Sequence, residues 1–263
     1  TKQRGQNFVT DPNTVRRIVN FAGVGPDDLV LEIGPGIGSL TLGLLETGAR
    51  VVAVEIDDRL ANQLPITVAE RMPSASDRLQ IISVDALKLT ELPDPVPNVL
   101  VANLPYNVSV PVLLHVLKTW PTIKAGLVMV QLEVADRLVA KPGSKTYGAP
   151  SAKLAWYGTA QRVGTVSPKV FWPVPNVDSG LVRFNRHTKP ITQQVTTEEV
   201  FAVINAAFGQ RRKMLRAALT KLGFSADKVQ QALVAIGVKP TVRGETLDIA
   251  QFANIVTQLH KAR

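Results

Sequence analysis

Five short apolar runs punctuate the first half of the chain, at residues 29–33, 50–55, 79–84, 99–102 and 125–130. Runs of that length, bounded by charges and turn residues, predict strands buried on both faces of a parallel sheet. Between them the apolar spacing lengthens to three and four, as helices require. Val15, Ile18, Val19 and Phe21 share one face of a first helix, with Arg16 and Arg17 on another. Asp11-Pro12 gives that helix an N-cap followed by Pro at its first position. Leu40, Leu42, Leu44 and Leu45 predict a buried helix ending near Gly48. Further helices begin at residues 56–60, cover 111–117 and run through Val139. Residues 73–78, the stretch around Pro93, Pro95 and Pro97, and the surroundings of Tyr147-Gly148 read as loops. Residues 152–166 and 177–185 alternate, which predicts antiparallel strands at one sheet edge. Strands alternating with helices predict an α/β fold built on a doubly wound sheet.

From Thr196 onward the period is helical. Val200, Phe201, Ile204 and Phe208 share one face, and Leu215, Ala218, Leu219 and Leu222 the next. Val229, Leu233 and Ile236 share a third, capped by Ser225 and ended by Gly237. Phe252, Ile255, Val256 and Leu259 share the last. This pattern predicts a small all-α C-terminal domain. The boundary falls near residues 186–196, and the expected domains are 1–187 and 188–263.

The first strand runs straight into Gly34-Pro35-Gly36-Ile37-Gly38. Glycines there let the backbone turn sharply and leave no side chain between it and a ligand at the carboxyl end of the strand. The third glycine falls one position early for the dinucleotide fingerprint G-x-G-x-x-G. No basic residue stands in or beside the loop to meet a pyrophosphate, and Glu32 lies just before it. A ligand with a positive centre suits this loop better than one with two phosphates. Glu55 ends the second strand, where an acid can accept hydrogen bonds from both hydroxyls of a ribose. Loop and acid together signal an adenosine-containing cofactor. A tight strand–helix turn that binds nothing is the bland alternative for the loop alone.

Composition narrows the chemistry. The chain has 263 residues and no cysteine, which excludes disulfides, zinc-thiolate sites, iron–sulfur clusters and cysteine nucleophiles. His115, His187 and His260 are far apart and lack metal-ligand spacing, so no metal is expected. His115 sits in an apolar stretch and reads as packed. No apolar run reaches the length of a membrane span and no secretory signal is visible, so the expected compartment is the cytoplasm. Net charge is +9 and unevenly spread. Residues 186–263 carry 12 Lys and Arg against 5 Asp and Glu, whereas residues 1–185 carry 18 against 16. A basic helical domain on a nearly neutral α/β domain points to an anionic partner, nucleic acid first. An ordinary solvated basic surface fits the composition equally well.

Asn103-Leu104-Pro105-Tyr106 falls where the fourth strand ends, level with the glycine loop. An exocyclic adenine amine is a poor nucleophile because its lone pair is delocalised into the ring. The Asn103 side-chain oxygen can accept from that amine. Pro105 stiffens the turn so that the Leu104 carbonyl can accept from the same group. Two acceptors favour a pyramidal nitrogen and free its lone pair for attack. Tyr106 offers an aromatic face to a base extracted from its stack. The electrophile suited to this loop is the methyl of a sulfonium, and transfer between two positioned reactants needs no strong general base. A tight turn with a buried Tyr is the bland alternative. A second aromatic loop, residues 171–179, holds Phe171 between prolines, where it can cover the other face of the base or plug the sheet edge.

These pieces carry a resemblance. Gly5-Gln6-Asn7-Phe8, Glu32-Ile33-Gly34-Pro35-Gly36-x-Gly38, Glu55-Ile56-Asp57, Asp85-Ala86-Leu87 and Asn103-Leu104-Pro105-Tyr106-Asn107 are similar to motifs of the ribosomal RNA adenine dimethylase family. So are Phe171-x-Pro173-x-Pro175-x-Val177-Asp178-Ser179 and Phe208-x-Gln210-Arg211-Arg212-Lys213. The chain most resembles the branch that acts on the small subunit. Val9 stands where that family usually has Leu, and Leu132 where it tends to place Lys.

The resemblance implies a Rossmann-like class I methyltransferase domain over 1–187 with S-adenosyl-L-methionine as methyl donor, and a helical rRNA-binding domain over 188–263. It implies cofactor contacts from Asn7, Val9, Gly34, Gly36, Glu55, Ile56, Asp85, Ala86 and Asn103, with Glu55 on the ribose and Asp85 on the adenine amine. Catalysis would rest on Asn103, Leu104, Pro105 and Tyr106. Substrate contacts would come from Tyr106, Phe171, Arg211, Arg212, Lys213 and Arg216. The substrate would be two adjacent adenosines in the 3′-terminal hairpin loop of small-subunit rRNA, each dimethylated at N6, on an immature 30S subunit. A monomer is expected. The rivals are a large-subunit adenine methylase of the macrolide-resistance type, a non-catalytic RNA-binding assembly factor on the same scaffold, and an NAD-dependent oxidoreductase.

Overall fold

The computed structural model describes residues 7–210 and 213–261. The chain divides into two compact units. One holds the residues up to Asp136 together with Ala160–Arg186; the other holds Arg137–Thr159 and the residues from His187 onward.

The first unit is built on a seven-stranded sheet. Its parallel members are β2 (Leu29–Ile33), β3 (Arg50–Glu55), β4 (Leu79–Ser83), β5 (Val99–Asn103) and β6 (Ala125–Gln131). β9 (Ser179–Arg186) adds antiparallel to β6, and β7 (Gly158–Val166) lies beyond it, giving the order β4-β3-β2-β5-β6-β9-β7. A separate two-residue pairing joins β1 (Phe8–Val9) to β8 (Phe171–Trp172). The five runs read as strands are all strands; four are buried on both faces through residues such as Val30, Leu31, Val52, Val101 and Val130, while β4 at the sheet edge is partly exposed.

Between the strands run α1 (Pro12–Ala22), α2 (Ser39–Glu46), α3 (Asp58–Arg71), α4 (Ser109–Thr119) and α5 (Leu132–Leu138). Asp11 caps α1 by accepting from the Thr14 amide, with Pro12 in the first turn, as its sequence predicts. Asp57 caps α3 in the same way through the Arg59 amide. His115 is packed: its Nε2 lies 2.8 Å from the Leu89 carbonyl oxygen and its ring meets Trp120 edge-on.

Strand order decides where a ligand can sit. From β2 the chain steps outward to β3 and β4, then returns to lay β5 on the other side of β2. The carboxyl ends of β2 and β5 therefore flank the point where the winding reverses, which is where open α/β sheets open a crevice. Ile33 pairs with Ala102 there, one residue before Gly34 and Asn103.

The second unit is helical: α6 (Ala149–Tyr157), α7 (Thr197–Gly209), α8 (Leu215–Leu219), α9 (Ala226–Ala235) and α10 (Ile249–Lys261). Val200, Ile204, Leu215, Leu219, Val229, Leu233, Phe252 and Ile255 form its core, as the helical spacing predicts. Thr196 and Glu199 form a reciprocal capping box at α7, and Ser225 caps α9. Tyr147 is buried in the same core, with its hydroxyl donating to the Leu247 carbonyl at 2.8 Å.

Two expectations change. Residues 152–157 form the end of α6 rather than strand; β7 begins only at Gly158. Alternating Ala152, Leu154 and Trp156 suits either period over so short a span. Pro150 in the first turn and the Gly148 amide donating to Ser151 Oγ at 3.1 Å start a helix instead. The segment Arg137–Thr159 also groups with the C-terminal helices, whereas the sequence places it inside a first domain of 1–187. Its apolar members Tyr147 and Ala152 complete the helical core, a pairing distant in sequence that spacing cannot reveal.

Candidate active site

A cavity of about 360 Å³ opens at the reversal point. Asn7, Val9, Gly34, Gly36, Glu55, Ile56, Asp85, Ala86, Asn103, Leu104, Pro105 and Tyr106 all line it. Residues that the sequence separates by almost a hundred positions thus meet around one space.

The glycine loop forms its floor. The Gly34 amide donates to the Val54 carbonyl at 2.8 Å, tying the loop to β3. Gly36 has a φ of +58°, and a Cβ there would lie 2.6 Å from the Phe8 ring. The loop therefore closes under Phe8 only with glycine at this position.

Glu55 is buried, and both of its oxygens are held. Oε2 accepts from the Gly36 amide at 3.1 Å and Oε1 from the Asp57 amide at 3.0 Å. The β3 end is thereby locked to the glycine loop, with a carboxylate on the cavity wall. Asp85 is fixed similarly, its Oδ1 accepting from the Leu87 amide at 2.9 Å.

Glu32 is a finding of the structure more than of the sequence. It is 1% exposed, lines the cavity, and accepts from the Thr41 hydroxyl at 2.7 Å. Burial pushes its carboxyl up to about 8, opposed by the Thr41 hydrogen bond and reinforced by nearby Glu55. A cation entering the cavity would meet an acid able to release its proton.

Asn103 ends β5, and its Nδ2 donates to the Asn7 backbone carbonyl at 2.9 Å. A carbonyl can only accept, so the nitrogen of the amide must face Asn7. Leu104 is buried, and its amide donates to the Met129 carbonyl at 3.0 Å. The Pro105 and Tyr106 carbonyls accept from the Val108 amide and the Ser109 hydroxyl, at 3.2 and 3.4 Å, closing the turn. Tyr106 is half-buried, and its hydroxyl lies 2.9 Å from that of Ser179 at the start of β9. Burial raises the phenol above its usual range, with the Ser179 hydrogen bond acting against it.

Phe171 does not reach this cavity. It is 2% exposed and packs in the sheet core with Val9 and Leu181. β8 pairs Val9 with Phe171 and Phe8 with Trp172, so the two neighbouring aromatics point to opposite sides. The structure makes Phe171 a member of the core, neither a cover for the base nor a plug at the sheet edge. Of the basic cluster, Arg211 and Arg212 lie outside the described residues, as do Gly5 and Gln6 of the first motif. Lys213 is exposed, and Arg216 donates to Gln230 Oε1 at 2.6 Å. Ser179 and Trp172 carry no spacing signal of their own, so the sequence by itself gives neither a role.

Among the described residues, no group of three or more His, Asp or Glu could hold a metal ion, and no helix is long and apolar enough to cross a membrane.

The chain matches a family model described as Ribosomal RNA adenine dimethylase over residues 1–261. It is 60% identical to a Ribosomal RNA small subunit methyltransferase A from Cutibacterium acnes, covering 100% of this chain and 89% of that protein. A protein of the same name from Thermobifida fusca is 59% identical, covering 97% of this chain and 88% of its own. Among solved structures, a dimethyladenosine transferase from Plasmodium falciparum superposes with a TM-score of 0.82 at 24% identity, covering 97% of this chain and 98% of that one. The 23S rRNA methyltransferase ErmE superposes with a TM-score of 0.71 at 26% identity, covering 96% and 99%.

Proposed function

The chain belongs to the ribosomal RNA adenine dimethylase family, and from that premise we infer that it is an rRNA small subunit methyltransferase of the adenine-N6 type. It transfers methyl groups to N6 of two adjacent adenosines in the 3′-terminal hairpin loop of small-subunit rRNA, within an immature 30S particle. Relatives at about 60% identity carry the small-subunit name, which favours this reading over the large-subunit one.

The donor set of the cavity fits S-adenosylmethionine. A cavity of about 360 Å³ is within the usual range for small-molecule sites, roughly 300–1,000 Å³. Glu55 would hold the ribose hydroxyls, Asp85 the adenine amine, and the Gly34 to Gly36 backbone would lie beneath the cofactor. Glu32 supplies an acid that suits a cationic ligand. When bound, the cofactor supplies an electrophilic methyl group on a sulfonium.

The single observation that carries the reading is the amide orientation of Asn103. With Nδ2 committed to the Asn7 carbonyl, the acceptor end of the side chain is turned to the other side. Asn103 Oδ1 accepts one N–H of the target amine, and the Leu104 carbonyl accepts the other. Held this way the amine nitrogen becomes pyramidal, and its lone pair is available for in-line attack. Tyr106 holds the plane of the extruded base. Once the nitrogen is cationic its proton passes to solvent, so no residue has to act as a strong base. Orientation and charge placement carry the rate.

Basic residues of the helical unit, Arg211, Arg212, Lys213 and Arg216, supply phosphate contacts for the rRNA. The enzyme acts in the cytoplasm as a monomer.

Labelled-methyl transfer to purified small subunits lacking the modification tests this, with primer extension to map the product. Stops at two adjacent adenosines of the small-subunit rRNA are expected. Cofactor binding without incorporation would leave the non-catalytic assembly factor as the better reading, and stops in large-subunit rRNA would favour the other methylase.

A further inference from the structure

Three tryptophans differ sharply in surroundings. Trp120 is 6% exposed and packed against His115. Trp156 donates through Nε1 to the Thr197 hydroxyl at 2.9 Å. Trp172 is 68% exposed, and Val174 and Val177 beside it are 63% and 44% exposed. So much apolar surface on one short loop is uncommon on a protein with no partner for it.

The loop has a defined place. Trp172 pairs directly with Phe8 across the β1–β8 ribbon, so the two side chains stand on the same face. Phe8 is part of the cavity wall, its ring over Gly36. At the other end of the loop, Ser179 meets the Tyr106 hydroxyl. Residues 172–178 thus span between partners of Phe8 and Tyr106, both of which line the cavity, while none of the seven lines it itself. Pro173 and Pro175 restrict the intervening backbone, and Asp178 is the only charged residue among those seven. Stacking, rather than phosphate binding, is what this loop can offer. The nearest exposed cation in sequence is Lys169, three residues before Trp172.

Resting on the methyltransferase reading, we propose that Trp172 is a nucleobase-stacking residue that takes a nucleotide flanking the target adenosine. An adenosine drawn out of its loop leaves its neighbours unstacked, and each exposes a π-face. An indole standing beside the site gives one of them a new partner without regard to base identity. Val174 and Val177 extend the apolar platform. The occupant is single-stranded RNA, because both ends of the loop are anchored on residues lining the pocket that, on the methyltransferase reading, receives a base from the same strand.

Intrinsic fluorescence tests this, since Trp172 is the exposed indole. Titration with a short RNA hairpin carrying two adjacent adenosines in its loop should quench wild-type emission, and Trp172→Leu should abolish the quench. In methyl transfer to small subunits the same variant should raise KM for the RNA substrate roughly tenfold. Trp172→Phe should restore most of that loss, and the melting temperature should stay at the parent value. An unchanged KM in Trp172→Leu overturns the proposal, as does quenching by small-subunit ribosomal proteins with none by the hairpin. The fluorescence titration needs no turnover. A wild type that binds and quenches but transfers no methyl group would therefore defeat the enzymatic reading while leaving the stacking contact standing.

Discussion

The side-chain amide of Asn103 is held by the backbone carbonyl of Asn7, 2.9 Å away, across 96 residues of chain. One hydrogen bond therefore sets which end of that amide points away from Asn7, the end that the proposed mechanism turns to the target amine, and ties the motif around Asn7 to the one that ends β5. Asn103→Ala removes the acceptor and should lower kcat by about 10²–10³-fold, as loss of a single oriented transition-state partner does. Cofactor affinity should fall only a few-fold. Asn103→Asp keeps the shape, but its ionised carboxylate cannot donate to Asn7 and should be nearly as inactive. Single-turnover methylation beside equilibrium cofactor binding separates the two effects; near-parent turnover in either variant would refute the polarisation mechanism.

Gly36 is constrained twice, by its φ of +58° and by the Phe8 ring above it. Gly36→Ala should destabilise the first unit by roughly 1–3 kcal/mol through backbone strain. It should also push Phe8 out of the cavity wall and loosen the Gly36–Glu55 bond, weakening cofactor binding more than the melting temperature suggests. Thermal melts with and without cofactor measure both; a fully cofactor-stabilised Gly36→Ala protein would show that Phe8 can move aside freely.

The sheet was largely legible because its central strands are buried on both faces, and a continuous apolar run as short as 99–102, closed by turn residues, fits a buried strand better than a helix. The cavity residues were legible for a related reason. Strand ends and glycine turns fix where backbone must come close to a ligand, so Gly34, Glu55 and Asn103 fall into place once the topology is doubly wound. What escaped were cross-chain relations. Ala152 and Leu154 fit a strand until Pro150 and Ser151 start a helix. Phe171 and Trp172 are adjacent aromatics whose facing depends on a two-residue pairing with Phe8 and Val9. Nothing in the spacing of Ser179 foretells that its hydroxyl meets Tyr106.

Ser179 acts as a positioning residue for Tyr106. Its buried hydroxyl lies 2.9 Å from the phenol, so the far end of the ring proposed to receive the base is held in place from the sheet. Ser179→Ala and Tyr106→Phe should each lower kcat/KM roughly three- to tenfold, the range of one lost hydrogen bond. Because both remove the same bond, the double variant should be no worse than either alone, a large coupling in a double-mutant cycle. Additive losses would mean that the contact does not matter for turnover.

Lys213 stands exposed just before α8 and Arg216 exposed within it, in the same stretch of sequence as Arg211 and Arg212. If these four neutralise phosphates, alanine at all of them should flatten the salt dependence of RNA binding by about 2–3 in the log–log slope, at roughly 0.7 per contact on single strands. Arg216 also holds Gln230 at 2.6 Å, so Arg216→Ala alone should cost less than Lys213→Ala. Filter binding from low to moderate salt reads the slope, and an unchanged value would reduce the cluster to a solvated face.

Glu32 should make both stability and ligand binding respond to pH, in a direction its surroundings decide. Burial beside Glu55 raises its carboxyl from an ordinary 4.5 to about 8, and only the Thr41 hydroxyl works against the shift. Between those two values the folded protein holds a proton that the unfolded chain has released. Stability contributed by this group therefore falls as pH rises through the window and levels off above about 8. Glu32→Gln cannot ionise and should lose that slope, gaining on the parent protein most at alkaline pH in urea titrations. A cationic ligand reverses the preference, since a positive charge in the cavity favours the carboxylate. Near pH 7, binding of S-adenosylmethionine should release more protons than binding of the product S-adenosylhomocysteine, which lacks the sulfonium charge. Calorimetry in two buffers of different ionisation enthalpy counts them. The difference should vanish in Glu32→Gln, and equal proton release for both ligands in the parent protein would rule Glu32 out as the group that responds to the sulfonium.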